Sequence, residues 1–239
     1  MKFLGLRLCD HDSSITYTDG VEIKYFKPER HKQIKHFAYE NLIDWVDDAK
    51  NLGINLKDLT AVAMVIDVHK HPYLNKEDPQ KLYELIKIPY SPFTELVCPI
   101  FRIDHHYAHS LSSWMLTNVK DHLILDGFGD LKRSISIFNN EKRTKSYTLD
   151  QVGSFGMFLG EIGEPFQIKG HPDDIAGKVM ALQSFGKLDE KYFNHIKDLS
   201  FEDLNYVGNF GNYFKIYESS IACKFNLINF LSTVHHFAE

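Results

Sequence analysis

Phe3-Leu4-Gly5-Leu6-Arg7-Leu8, then Cys9-Asp10-His11-Asp12-Ser13-Ser14, then Ile15-Thr16-Tyr17-Thr18-Asp19-Gly20 and Val21-Glu22-Ile23-Lys24-Tyr25-Phe26 make up residues 3–26. The first run is apolar enough for a buried strand, and it enters a polar, acidic turn. A second strand leaves that turn at Ile15, and Asp19-Gly20 is a strong short-range hairpin signal leading into a third. Three antiparallel strands within thirty residues form a meander.

Outward from the meander, the basic run from Lys27 to His36 (with Glu29, Arg30, Lys32 and Lys35) reads as a solvated connection or as the lining of an anionic substrate pocket. Residues 37–52 carry a helical pattern, with Leu42, Trp45, Val46 and Ala49 on one side and Gly53 as the stop. The apolar run Leu59 to Ile66 predicts a central strand covered on both faces, with His69 and His71 in the loop beyond. Residues 79–88 read as a short helix ended before Pro89. Ile100 to Ile103 reads as a strand feeding an amphipathic helix that runs to about Leu116. A meander followed by alternating elements predicts a mixed sheet with helices against it.

The pattern then restarts. Leu123-Ile124-Leu125 reads as a buried strand and Asp126-Gly127-Phe128-Gly129-Asp130 as a turn, followed by a strand at 134–138. This is a weak duplication of strand, acidic turn and strand, and two such halves facing one another would bring both turns to one cleft. Gly153, Gly156, Gly160 and Gly163 match neither a P-loop nor a dinucleotide fingerprint and suit a closely packed helical region. Helices are expected at 175–185, capped by Asp173 or Asp174, at 190–199 and at 225–237, with a strand from Tyr213 to Tyr217. The last helical pattern carries no stop signal, so the chain is expected to be a portion of a longer or split enzyme.

Bulk composition narrows the function classes. At 239 residues, 44% of them hydrophobic, the chain can bury a real core in one large or two modest domains. A formal net charge of -5 supplies no field for a nucleic-acid backbone. No apolar run reaches membrane-spanning length, and no signal-peptide core precedes the first Asp. Cys9, Cys98 and Cys223 lack any paired spacing, which favours a reducing, cytoplasmic setting.

The chemistry-bearing stretch is Ile103-Asp104-His105-His106-Tyr107-Ala108-His109-Ser110. Four residues apart on a helix, His105 and His109 share a face and can hold one ion through ring nitrogens, with Asp104 as N-cap. No Glu follows His105, so the hydrolytic zinc motif is absent. A carboxylate at a strand end beside two glycines, as at Asp126, Gly127 and Gly129, is a usual way to bring metal-bound phosphate close to backbone N–H groups. The plainer reading of the same residues is a hairpin turn. Lys178, beside Gly177, lies within reach of an anion or is simply exposed.

Five motifs in order then resemble the N-terminal part of the O-carbamoyltransferases of antibiotic and nodulation-factor biosynthesis. They are His11-Asp12-Ser13-Ser14-Ile15; Pro28-Glu29-Arg30 with Lys35-His36; Asp104-His105-His106-Tyr107-Ala108-His109-Ser110; Asp126-Gly127-Phe128-Gly129-Asp130; and Gly177-Lys178-Val179-Met180-Ala181-Leu182-Gln183-Ser184-Phe185-Gly186. Departures from the family pattern are Pro28 for a Glu, and Ile15 and Ser110 for alanines. The resemblance implies an α/β, actin-like ATPase (ribonuclease H-like) fold. Its first lobe, with the histidine helix, would be complete over 1–118. A second, interrupted lobe with a helical insertion would occupy 119–239.

It also implies an activity. Such domains combine carbamoyl phosphate, water and ATP to give carbamoyladenylate, pyrophosphate and inorganic phosphate, and the carbamoyl group passes to a small-molecule hydroxyl acceptor. By carry-over, His105 and His109, with Asp126, would hold a divalent metal (Mg or Fe), and Asp12 and Asp126 would orient its waters or the phosphates. Ser13, Gly127 and Gly129 would face the nucleotide, and Arg30, Lys35 and Lys178 would complement phosphate or pyrophosphate charge. The family's C-terminal carbamoyl-transfer domain has no counterpart in this sequence, so a companion chain carrying the rest of the enzyme is an implied partner, and turnover by this chain alone stays open. Nucleic acid and membrane are not expected partners. Two alternatives remain: a non-catalytic or degenerate nucleotide- and metal-binding module, and a metal-dependent hydrolase built on His105, His109 and Asp126.

Overall fold

The computed structural model describes residues 1–8, 11–40, 43–66, 80–88, 93, 96–127, 129–152, 154–163, 168–196 and 227–238. These form two compact units, Met1–Met115 and Leu116–Glu239, each a mixed α/β or α+β arrangement.

The first unit is built on a six-stranded mixed sheet. Strands β1 (Phe3–Leu8), β2 (Ser14–Thr18) and β3 (Ile23–Phe26) form the expected antiparallel meander. Strand β4 (Ala61–Ile66) lies parallel to β1, and β6 (Ile100–Ile103) parallel to β4. An antiparallel β5 (Tyr83–Ile86) closes the far edge, giving the order β3-β2-β1-β4-β6-β5. One face of this sheet makes the core. Leu4, Leu6 and Leu8 alternate inward from β1, Ile15 and Tyr17 from β2, and Val62, Met64 and Ile66 from β4. Helix α2 (Trp45–Asn51) brings Trp45, Val46 and Ala49 into the same cluster, where the Trp45 ring lies 5.6 Å from that of Phe93.

Several expectations change here. The helix foreseen over 37–52 is confined, in its described part, to α2. Residues 37–39 lie outside any helix, where Ser13 N–H donates to Phe37 O (2.9 Å) and Tyr39 N–H to Ser13 Oγ (3.3 Å). The helix foreseen over 79–88 is strand β5, since Tyr83 to Ile86 pair in register with Ile103 to Ile100. Its ten residues were too few for periodicity to separate the two forms. Strand β4 is buried on one face only; small Ala63 faces out, where exposure costs little. Within the basic run, α1 (Pro28–Lys32) forms, with Pro28 pre-set for the first turn.

The second unit holds the antiparallel sheet β7 (His122–Leu125), β8 (Arg133–Asn139) and β9 (Lys142–Thr148). Asn140 and Glu141, both at positive φ, make the tight β8–β9 turn. Strand β7 is not the buried run its sequence suggested: Leu123 and Leu125 are 61% and 56% exposed. Helices α4 (Leu149–Val152), α5 (Phe155–Gly163), α6 (Pro172–Gln183), α7 (Glu190–Ile196) and α8 (Leu227–Ala238) are the unit's described α-helices.

The glycine-rich stretch is a close-packed helix region. A Cβ on Gly163 would run into Ile175 and Val179 of α6, and one on Gly156 would lie 3.2 Å from the Gly127 backbone. Helix α6 starts at Pro172 with His171 at the N-cap, so Asp173 and Asp174 sit in its first turn rather than capping it. His69, His71 and the 213–217 strand lie outside the described residues. No helix among the described residues is long and apolar enough to cross a membrane.

Candidate metal centre

In the first unit, β1, β4 and β6 run parallel, so their carboxyl ends share one edge of the sheet. Open α/β sheets bind ligands at that edge. Strand β1 delivers the His11-Asp12-Ser13 turn there, and β6 delivers Asp104 and helix α3 (His105–Thr117). With β4 between them, the two strand ends are about 10 Å apart at ordinary strand spacing.

Asp104 sets the start of α3. It is buried, its Oδ1 accepts from Tyr107 N–H at 3.0 Å, and its main-chain oxygen accepts from Ala108 N–H at 2.9 Å. This is an N-cap in the usual sense. The cap fixes where the first turn points, and therefore where His105 and His109 project. Their Nε2 atoms are 3.2 Å apart, with ring centroids at 4.9 Å. Tetrahedral coordination with bonds near 2.0–2.1 Å places two ligand atoms about 3.4 Å apart. The observed spacing therefore suits one shared divalent ion. His106 turns the other way and is 1% exposed, so it belongs to the unit's interior rather than to a solvent-facing contact.

Asp12 sits in a dense polar network. Its Oδ1 pairs with Lys27 Nζ at 2.9 Å and its Oδ2 with His11 Nδ1 at 2.8 Å, while His36 Nδ1 lies 3.9 Å from Oδ2. Burial works to raise the Asp12 carboxyl, but hydrogen bonds from Lys27 and His11 outweigh it and hold the group well below the usual carboxylate range. Reciprocally, the bond to Asp12 raises the Lys27 ammonium. The Arg7 guanidinium donates to the carbonyls of His11 (2.7 Å) and Asp12 (2.9 Å), fixing the turn, and Asp12 holds φ +53°. Ser13 is fully buried, its hydroxyl accepting from Tyr39, which makes it a structural tie in this arrangement.

Arg30 and Lys35 are exposed on and after α1. Sequence reasoning placed His11 and His36 in family motifs and Lys27 in the basic run, but did not name any of the three as a site residue. A His-Asp pair in a strand-end turn was visible, but Lys27 and His36 come from the stretch read as either a solvated connection or the lining of an anionic pocket.

In the second unit, Asp126 closes β7. Its N–H donates to Ser134 O (3.0 Å), its main-chain oxygen accepts from the Ser154 hydroxyl (2.8 Å), and its Oδ1 accepts from Gly127 N–H (2.7 Å). Gly129 N–H donates to Arg133 O at 2.7 Å. Both glycine N–H groups are thus committed within the turn. Lys178 is exposed on α6, and its ammonium donates to Lys169 O across the Gly170 bend.

His and Asp side chains able to take a divalent ion are therefore present on the chain. No protein-family model matches the sequence, and no curated protein matches it.

Proposed function

We propose that the chain is the metal- and nucleotide-binding portion of an O-carbamoyltransferase-type enzyme, with an actin-like, ribonuclease H-like first lobe. The observation that carries this reading is the His105–His109 pair, 3.2 Å between Nε2 atoms at the start of a capped helix. Two features support it: the five ordered motifs, and the first unit's β3-β2-β1-β4-β6-β5 order with parallel β1, β4 and β6.

In this reading His105 and His109 hold one divalent ion. Two imidazoles suit iron or zinc better than magnesium, a hard ion that prefers oxygen. Bound there, the ion would neutralise phosphate charge and polarise a phosphoryl oxygen. Asp104 orients the pair through the helix start. Lys178, released from Lys169 O, and the exposed Arg30 and Lys35 supply positive charge to the phosphates of ATP and carbamoyl phosphate.

The test is pyrophosphate release from ATP by the full chain, alone and with a carbamoyl-transfer domain of such an enzyme supplied in trans. Release should require carbamoyl phosphate and a divalent ion, and should fall at least 100-fold, roughly the loss of one electrostatic catalytic element, in His105→Ala. Release without carbamoyl phosphate, or hydrolysis of an ester substrate without ATP, would replace this reading with a nucleotidase or metal-dependent hydrolase.

A further inference from the structure

We propose that His11, Asp12 and His36 form a second divalent-metal site, of the zinc class, separate from the His105–His109 pair. The three side chains lie in one unit, and their ligand atoms are all within 4.8 Å of one another. Asp12 Oδ2 is 2.8 Å from His11 Nδ1 and 3.9 Å from His36 Nδ1. These two spacings bracket the roughly 3.4 Å that separates ligands on a tetrahedral ion with bonds near 2.0–2.1 Å, so small side-chain rotations suffice to close the set. The two rings are 6.4 Å apart and nearly perpendicular (76°), so each can bring a nitrogen in from its own direction.

Lys27 and Arg7 are the nearby cations, but Lys27 sits on Asp12 Oδ1 and Arg7 on main-chain carbonyls, not on Oδ2. Glu29 Oε2 lies 3.4 Å from Lys27 Nζ and accepts from His36 N–H at 3.3 Å, so one carboxylate offsets the ammonium and ties down the third ligand's backbone. Such outer partners orient metal ligands in known sites. Asp12 and His36 both hold left-handed backbone, φ +53° and +55°, conformations that non-glycine residues retain where surrounding contacts impose them. The turn and the 36–39 segment are joined by the Ser13 N–H bond to Phe37 O and the Tyr39 N–H bond to Ser13 Oγ. Two imidazoles and one carboxylate select a zinc-type ion over magnesium or calcium. Three protein ligands leave one tetrahedral position for water or an anionic oxygen.

The test uses the full chain with His105→Ala and His109→Ala, so that the other pair cannot contribute. Co²⁺ serves as the spectroscopic stand-in for Zn²⁺, and circular dichroism checks that each variant is folded. The expected result is one equivalent of Co²⁺ with tetrahedral visible bands, displaced by Zn²⁺ but not by Mg²⁺. Adding His36→Gln or Asp12→Asn should weaken binding at least 10-fold, the low end of what loss of a metal-supporting contact costs. Absence of bound Co²⁺, or binding unchanged by His36→Gln and Asp12→Asn, overturns the proposal. Should those variants misfold, carbethoxylation of His11 and His36 in the otherwise unaltered double variant decides. Zn²⁺ must slow it, and equal rates with and without Zn²⁺ overturn the site. Because this background lacks His105 and His109, failure here and failure of the carbamoyltransferase reading give different results.

Discussion

At the scale of single residues, the Asp12–Lys27 pair gives a testable pH dependence. Asp12 is depressed in the fold, so its contribution to stability is present above the unfolded carboxyl value of about 4 and is lost as pH falls below it. Lys27 is raised, so its contribution holds below its unfolded value of about 10.4 and is lost above it. The groups facing this carboxylate are Lys27, His11, Glu29 and His36. Urea denaturation of the metal-free chain should show Asp12→Asn destabilised between about pH 5 and 9, with the gap from wild type shrinking below about pH 4. A gap that widens on acidification would contradict the pairing. Tyr39 offers a second check. Burial, and then its 2.7 Å bond to Asp48 Oδ2, raise its phenol, and Tyr39→Phe should cost about 1–2 kcal/mol in the same assay. Legibility at this scale was uneven. The spacing of His105 and His109 is local helix geometry, so sequence was enough to find it. The partners of Asp12 reach it through chain reversals, which spacing along the sequence does not encode.

At the scale of elements, the histidine helix depends on its cap. Asp104→Ala should destabilise the first unit by about 1 kcal/mol and weaken metal binding at His105 and His109, because the first turn frays. Asp104→Asn, which can still accept from Tyr107 N–H, should restore most of both. In the second unit, Gly163→Ala pushes a methyl into Ile175 and Val179, and thermal unfolding should show a loss of about 1–3 kcal/mol. Elements whose character is local were readable in sequence: the β1–β3 meander with its Asp19-Gly20 turn, β6, and the start of α3. Elements decided by a distant partner were not. Strand β5 exists because β6 offers an open edge, and residues 37–39 are tied to Ser13 instead of joining the helix. Strand β9 went unread because Lys142–Thr148 is too polar for an apolar alternation to show, although Asn139-Asn140 signalled the turn before it.

At the scale of the whole molecule, the carboxyl edge of the first unit's sheet carries His11 and Asp12 after β1 and His105 and His109 after β6, side chains able to take a divalent ion. Strand order alone produces that arrangement: neighbouring parallel strands end together, so the segments leaving them emerge at a common edge. The internal repeat seen in sequence has a local counterpart in each unit, since β1–β2 and β7–β8 are antiparallel pairs joined through an acidic turn. The proposal that His105 and His109 hold a metal carries the rest. It is tested most directly by counting tightly bound Zn²⁺ on the folded full chain and on His105→Ala/His109→Ala. The expected result is that the double variant holds one equivalent fewer than the unaltered chain while keeping its circular dichroism spectrum. Equal stoichiometry and affinity in the two proteins would contradict it.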